Sequence, residues 1–194
     1  MVWLILGLVI FLGVHSVRIS APEFRQRMIA QRGENAWKGF YSLLAFLGLR
    51  LIIWGFSIAR YEGPIVYTPP TWMSHIALLL MLFSFVFLAA SSLPVSRIKV
   101  AAKHPMLLAV KLWALAHLMA NGDLASLLLF GSFLIWAIVD RISEKGRVVA
   151  GEGVPAVKPP VRNDIMVIVV GLLAYVLFVW KLHEWLIGVA PIAS

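Results

Sequence analysis

Six apolar stretches partition the chain, at residues 1–16, 36–59, 73–92, 106–120, 124–139 and 165–189. A helix needs about 17 to 25 mostly apolar residues to cross the hydrocarbon core of a bilayer. Most of the six meet that length; the fourth is short, and the first and fifth lie near the limit. In lipid a spanning segment must satisfy its own backbone hydrogen bonds, so these stretches are expected to be helices. Of 194 residues, 61% are hydrophobic and 13% charged, well below the roughly one quarter charged of soluble domains. The expectation is an all-α polytopic membrane helical bundle with about six transmembrane helices. No internal repeat interrupts it, so residues 1–194 read as one transmembrane domain.

The positions of the basic residues set the expected topology. The chain carries 17 Lys and Arg against 9 Asp and Glu. Arg18, Arg25, Arg27 and Arg32 lie between the first two stretches, with Lys38 at the start of the second, and Arg97, Lys99 and Lys103 lie between the third and fourth. Arg141, Lys145, Arg147, Lys158 and Arg162 lie between the fifth and sixth, whereas the alternate connections hold only Arg60. By the positive-inside rule, the three basic loops are expected in the cytoplasm and both termini on the outer, periplasmic side. The excess charge is thereby assigned to topology and anionic lipid, not to nucleic acid. Residues 1–16 lack a basic n-region and a small-residue cleavage site, and are expected to be a retained span. The chain has no cysteine, so neither disulfides nor covalent haem attachment through a C-x-x-C-H motif is available to it.

The connections differ in kind. Residues 18–33 are long enough for an interfacial helix with Phe24, Met28 and Ile29 toward lipid and Arg25, Arg27 and Arg32 toward water. In Asn121-Gly122-Asp123, Gly122 is expected in a left-handed stop and Asp123 as the N-cap of the next span. Residues 151–160, rich in Gly and Pro, are expected to form a flexible loop. Trp3, Trp72 and Trp185 are expected at the outer interface and Trp37 at the inner one. Gly7, Gly13, Gly171 and Ala174 allow close helix approach.

Ionisable groups inside a span cost about 2.5 to 3.5 kcal/mol each on insertion scales, so each one points to a partner or a task. Arg50 lies near the middle of the second stretch; an internal anion such as a haem propionate, or a structural pair, would offset its cost. Lys181, His183 and Glu184 lie where their side chains reach the interface. His75 stands at the start of a span and needs no special account. His104, before Pro105, belongs to the first turn of a helix at the interface, with Lys111 on the same face. His15 and His117 differ, because the preceding turns of their own helix faces are apolar: Leu8, Phe11 and Leu12 before His15; Val110, Trp113 and Ala114 before His117. His104 and His117 are 13 residues apart, about 140° out of phase and about 20 Å apart along one helix, and so cannot share a ligand there. Each deep histidine reads either as a hydrogen-bonded packing residue or as one axial ligand of a bis-histidine haem b.

The motif "HPMLLAVKLWALAHLMANGD", with "FLGVHSVR" in the first span, "GENAW" at 33–37 and "RYEG" at 60–63, resembles the NnrU family of bacterial membrane proteins. That family is related to the plant 15-cis-zeta-carotene isomerases, which are haem b proteins with two axial histidines. The resemblance covers residues 10 to about 142, with H-P-x(7)-W-x-x-A-H its most specific element. It implies His15 and His117 as axial ligands, which are also the metal ligands, and a haem b cofactor whose propionates Arg18, Arg50 or Lys111 would hold. Ala114 stands where the relatives carry a cysteine. On the expected topology His15 lies nearer the cytoplasmic end of its span and His117 nearer the outer end of its own. His15 with His104 is therefore the alternative pair.

The resemblance implies a multi-pass protein of the bacterial inner membrane acting on a lipophilic polyene, by cis-trans isomerisation, or on a small gaseous ligand in nitrite and nitric-oxide metabolism, with a redox partner. A non-catalytic membrane scaffold or assembly factor with structural histidines is the contrasting reading.

Overall fold

The computed structural model describes residues 1–149 and 158–192, with side chains omitted for 146–149; most of the 151–160 loop lies outside them. The order is α1 (Val2–Ser20), α2 (Pro22–Arg32), α3 (Glu34–Glu62), α4 (Thr71–Ser92), α5 (Arg97–Ala102), α6 (Pro105–Ala120), α7 (Leu124–Val149), α8 (Val161–Leu177), a π-helical turn (Phe178–Leu182) and α9 (His183–Ile187). Each expected span is present as helix. Five helical segments are long and apolar enough to cross a membrane, and Pro105–Ala120 is a shorter apolar helix. Contacts divide the chain into two compact units, Met1–Thr68 with Asn121–Ser143, and Pro69–Ala120 with Glu144 onward.

In the first unit α1 docks on α3 across small residues. A Cβ on Gly7 would lie 2.6 Å from the Ile52 nitrogen, and one on Gly48 would lie 2.7 Å from the Phe11 nitrogen. A Cβ on Gly55 would overlap the backbone of Leu4. Membrane helices gain little from burying apolar surface against one another, so this backbone approach supplies the van der Waals contact that holds the pair. Gly13 plays no such part: nothing lies within 4 Å of a Cβ built there. The expected interfacial helix is α2, with Pro22 at its first turn. Trp37 is 7% exposed and lies against Phe24 with ring centres 6.3 Å apart, so it packs α2 onto α3.

The turn at Asn121-Gly122-Asp123 is tied to the 63–67 connection. Gly122 is not left-handed; its carbonyl accepts from the backbone N–H groups of Val66 (2.8 Å) and Tyr67 (3.2 Å), and a Cβ there would strike the Tyr67 carbonyl. Close approach, not positive φ, is what this glycine provides. Asp123 caps α7 as expected, its Oδ1 accepting from Ser126 N–H at 2.9 Å. The helix runs past the expected end at 139, because residues 140–145 contain no Gly or Pro to stop it.

In the second unit α4 packs on α6 and α8. Ser84 is 5% exposed and donates to the Ala109 carbonyl at 2.8 Å, while Ala89, Ala90 and Val167 form a small core. The short helix α5 adds to the expected elements; its sequence signal is Ser96, whose hydroxyl accepts from Lys99 N–H at 3.0 Å. Asp164 Oδ1 accepts from the N–H groups of Arg97 (2.7 Å) and Ile98 (3.2 Å), and Lys99 Nζ donates to the Ser91 (2.9 Å) and Leu93 (3.3 Å) carbonyls at the end of α4. These charges complement helix termini, with the anion at an N-terminus and the cation at a C-terminus. Asp164→Ala is expected to lower stability by about 1 to 3 kcal/mol, since two donors lose a charged acceptor; thermal unfolding in detergent measures it.

Candidate functional site

His15 and His117 sit in different units but have the same local construction. In α1, His15 Nδ1–H donates to the Phe11 carbonyl at 2.6 Å, and the His15 and Phe11 rings stack with centres 4.2 Å apart. In α6, His117 Nδ1–H donates to the Trp113 carbonyl at 2.8 Å, with ring centres 5.4 Å apart. Each thus bonds the carbonyl four residues back and lies against that residue's aromatic ring. A carbonyl only accepts, so the proton is on Nδ1, and in the neutral imidazole Nε2 carries the lone pair. That tautomer, fixed by a backbone carbonyl, is the one in which a histidine binds a metal through Nε2.

His15 has further aromatic neighbours, Tyr41 at 5.2 Å and Trp136 at 6.0 Å between ring centres, both edge-on. Trp136 Nε1 is buried and has no hydrogen-bond partner among the described residues. Leaving such a donor unsatisfied costs about 1 to 3 kcal/mol. An acceptor brought in beside His15 would remove that cost. His15 also lines a cleft of about 270 Å³ in the first unit together with Arg18, Arg25, Glu34, Lys38 and Tyr41. Lys38 pairs with Glu34 at 3.0 Å, so the arginines dominate the cleft's charge toward an anion.

The remaining sequence candidates fall elsewhere. Arg50 is exposed on the face of α3 turned away from α1, beside Leu43, Phe46 and Ile53. Lys111 is half-buried on α6. His104 Nδ1 lies 3.8 Å from Glu144. It follows Lys103, whose φ of 60° and ψ of −49°, with a 2.6 Å hydrogen bond from His104 N–H to the Ala102 carbonyl, make a three-residue γ-turn. That turn is strained for any side chain. Lys103→Gly, which removes the strain, is expected to raise stability by up to about 1 kcal/mol, read as a higher unfolding midpoint.

His183 reads as an interfacial residue in the sequence, yet its ring centre lies 6.3 Å from that of His117 within the second unit, the planes 25° apart. Its sequence signal is weak, because the π-helical turn just before it shifts the facing expected of an α-helix. Among the described residues no three His, Cys, Asp or Glu side chains gather as a metal site.

No curated protein and no solved structure matches this chain. The family described as NnrU protein matches residues 3–191, nearly the full length and both units. This multi-pass membrane protein belongs to the NnrU family.

Proposed function

We propose that this protein binds haem b, for which His15 and His117 are the candidate ligands, and acts on a lipophilic polyene or a small gas in a bacterial cytoplasmic membrane. The observation that carries the reading is the repeated construction of the two histidines, each with Nδ1–H on the carbonyl four residues back and that residue's aromatic ring beside it. The buried Trp136 N–H beside His15 fits a ligand that brings an acceptor. Arg18 and Arg25 in the same cleft suit propionate carboxylates. When bound, haem iron supplies a Lewis-acidic position for a double bond or a diatomic gas.

The chain's own part is orientation and exclusion of water. Phe11 and Trp113 restrict ring rotation, and their carbonyls keep the proton on Nδ1, so that Nε2 remains the ligating atom. Phe133, tilted against Phe11 with ring centres 5.7 Å apart, adds apolar cover on the His15 side.

The test is the absorption spectrum of the detergent-purified full chain from haem-replete cells, oxidised and then reduced with dithionite. A sharp Soret band with resolved reduced bands, retained in His75→Ala, is expected; His75 is exposed at the start of α4. A colourless protein overturns the proposal and leaves the scaffold reading. Supplying a cis polyene to the reduced protein and finding no isomer formed counts against the isomerase version.

A further inference from the structure

Arg50 stands where a membrane helix rarely carries charge. The nearest charged residues of α3 are Lys38 and Arg60, about 18 and 15 Å away along the axis at 1.5 Å per residue. Those distances equal or exceed half of a hydrocarbon core about 30 Å thick, and both are longer than an arginine side chain can snorkel. Arg50 is exposed and makes no hydrogen bond or ion pair with any described residue. The face around it is apolar and equally uncovered. Leu43, Leu47, Arg50, Trp54 and Ser57, in alternating steps of four and three, are all exposed. This row is not the one that meets α1, which is formed by Gly48, Ile52 and Gly55.

A guanidinium facing hydrocarbon is costly unless an anion meets it. The chain supplies none at that depth: its nine Asp and Glu all lie in connections or toward the ends of the apolar stretches. Two copies meeting along this face would set Arg50 against Arg50. We propose that the Leu43–Ser57 face of α3 docks a transmembrane helix of another membrane protein, one that carries an Asp or Glu near its middle. The guanidinium donates two parallel hydrogen bonds to one carboxylate, a geometry that fixes orientation as well as strength. Apolar side chains contribute little preference between helices in lipid, so the polar pair selects the partner. A single polar residue in an otherwise apolar row also sets the register. The proposal is independent of haem.

The full chain in its native membrane provides the test, with the photocrosslinking residue p-benzoylphenylalanine in place of Leu43 or Leu47. A crosslink to a spanning helix with a mid-depth acid is expected. Changing that acid to its amide, or Arg50→Leu in this chain, should lower the yield about three- to twentyfold, the range for polar contacts between membrane helices. Arg50→Lys, which keeps the charge, should retain more than Arg50→Leu. Crosslinks to lipid alone, to a second copy or to a helix without an acid overturn the proposal, as does a yield unchanged in Arg50→Leu. A defined probe gives a second reading: a polyleucine helix of about 21 residues with one central Glu, reconstituted with the full chain in phosphatidylcholine vesicles and followed by energy transfer. It is expected to associate more than the same helix with Glu at its end, and the difference should vanish in Arg50→Leu. Equal association of the two helices with the unaltered chain overturns the proposal. Arg50→Leu puts an apolar side chain toward lipid, so an unaltered size-exclusion profile in detergent separates lost docking from lost fold.

Discussion

Gly55→Val is expected to abolish the docking of α1 on α3. A Cβ at this position overlaps the backbone of Leu4, which, unlike a side chain, cannot rotate away. Overpacking costs about 1 to 3 kcal/mol when side chains absorb it. A backbone collision belongs at or above the top of that range, about two orders of magnitude in the folded ratio. The loss propagates to His15, since α1 carries it and its neighbour Tyr41 sits on α3. Fluorescence-detected size exclusion after a heating series reads the effect as a collapse of the monodisperse peak. Gly13→Val is the matched control, because nothing lies within 4 Å of the added carbon; it is expected to behave as the unaltered protein. Equal damage from the two substitutions would remove the close-packed interface as the cause.

His117→Ala is expected to carry the other large effect, a loss of bound haem of roughly tenfold or more, since even outer partners of a metal ligand cost 10- to 100-fold. The substitution removes a ring that lies between those of Trp113 and His183, whose centres are 5.4 and 6.3 Å away, and leaves a space of the size of an imidazole. Added imidazole should enter it and restore colour, which a globally unfolded protein would not allow. The measurement is haem content per protein by pyridine haemochrome, beside the α-helical circular dichroism of the same sample. Normal haem content in the variant would exclude His117 as the primary ligand.

The helical architecture is legible in the sequence because length and hydropathy are local properties. Spans, the helix α2, the proline start of α6 and the Asp123 cap can all be read that way. Residues whose role depends on a neighbour distant in the chain are less legible. Gly48 and Gly55 carry the α1 crossing, yet nothing in their own stretch distinguishes them from Gly13. The burial of Trp37 depends on α2 folding back across it, with Phe24 against its ring. The three basic residues at 97, 99 and 103 read as topology alone, whereas Lys99 caps α4 and Arg97 lies 3.7 Å from Asp164. For the site, His15 and His117 are legible from the apolar turns before them. His183 is not, because a period of 3.6 residues misplaces everything beyond a π turn.

Helix α6, which bears His117, has 16 residues and a length of about 24 Å, some 6 Å less than the hydrocarbon thickness of an average bilayer. Its neighbour α4, with 22 residues, reaches about 33 Å. A membrane that matches α4 leaves an end of α6 below the headgroups, and one that thins to fit α6 compresses against α4; each adjustment costs a fraction of a kcal/mol per ångström. Acyl-chain length thereby becomes a control variable for the histidine that α6 carries. In short-chain lipid the C-terminal turn of α6, three residues beyond His117, meets the headgroup region and its water; in long-chain lipid it is drawn into hydrocarbon.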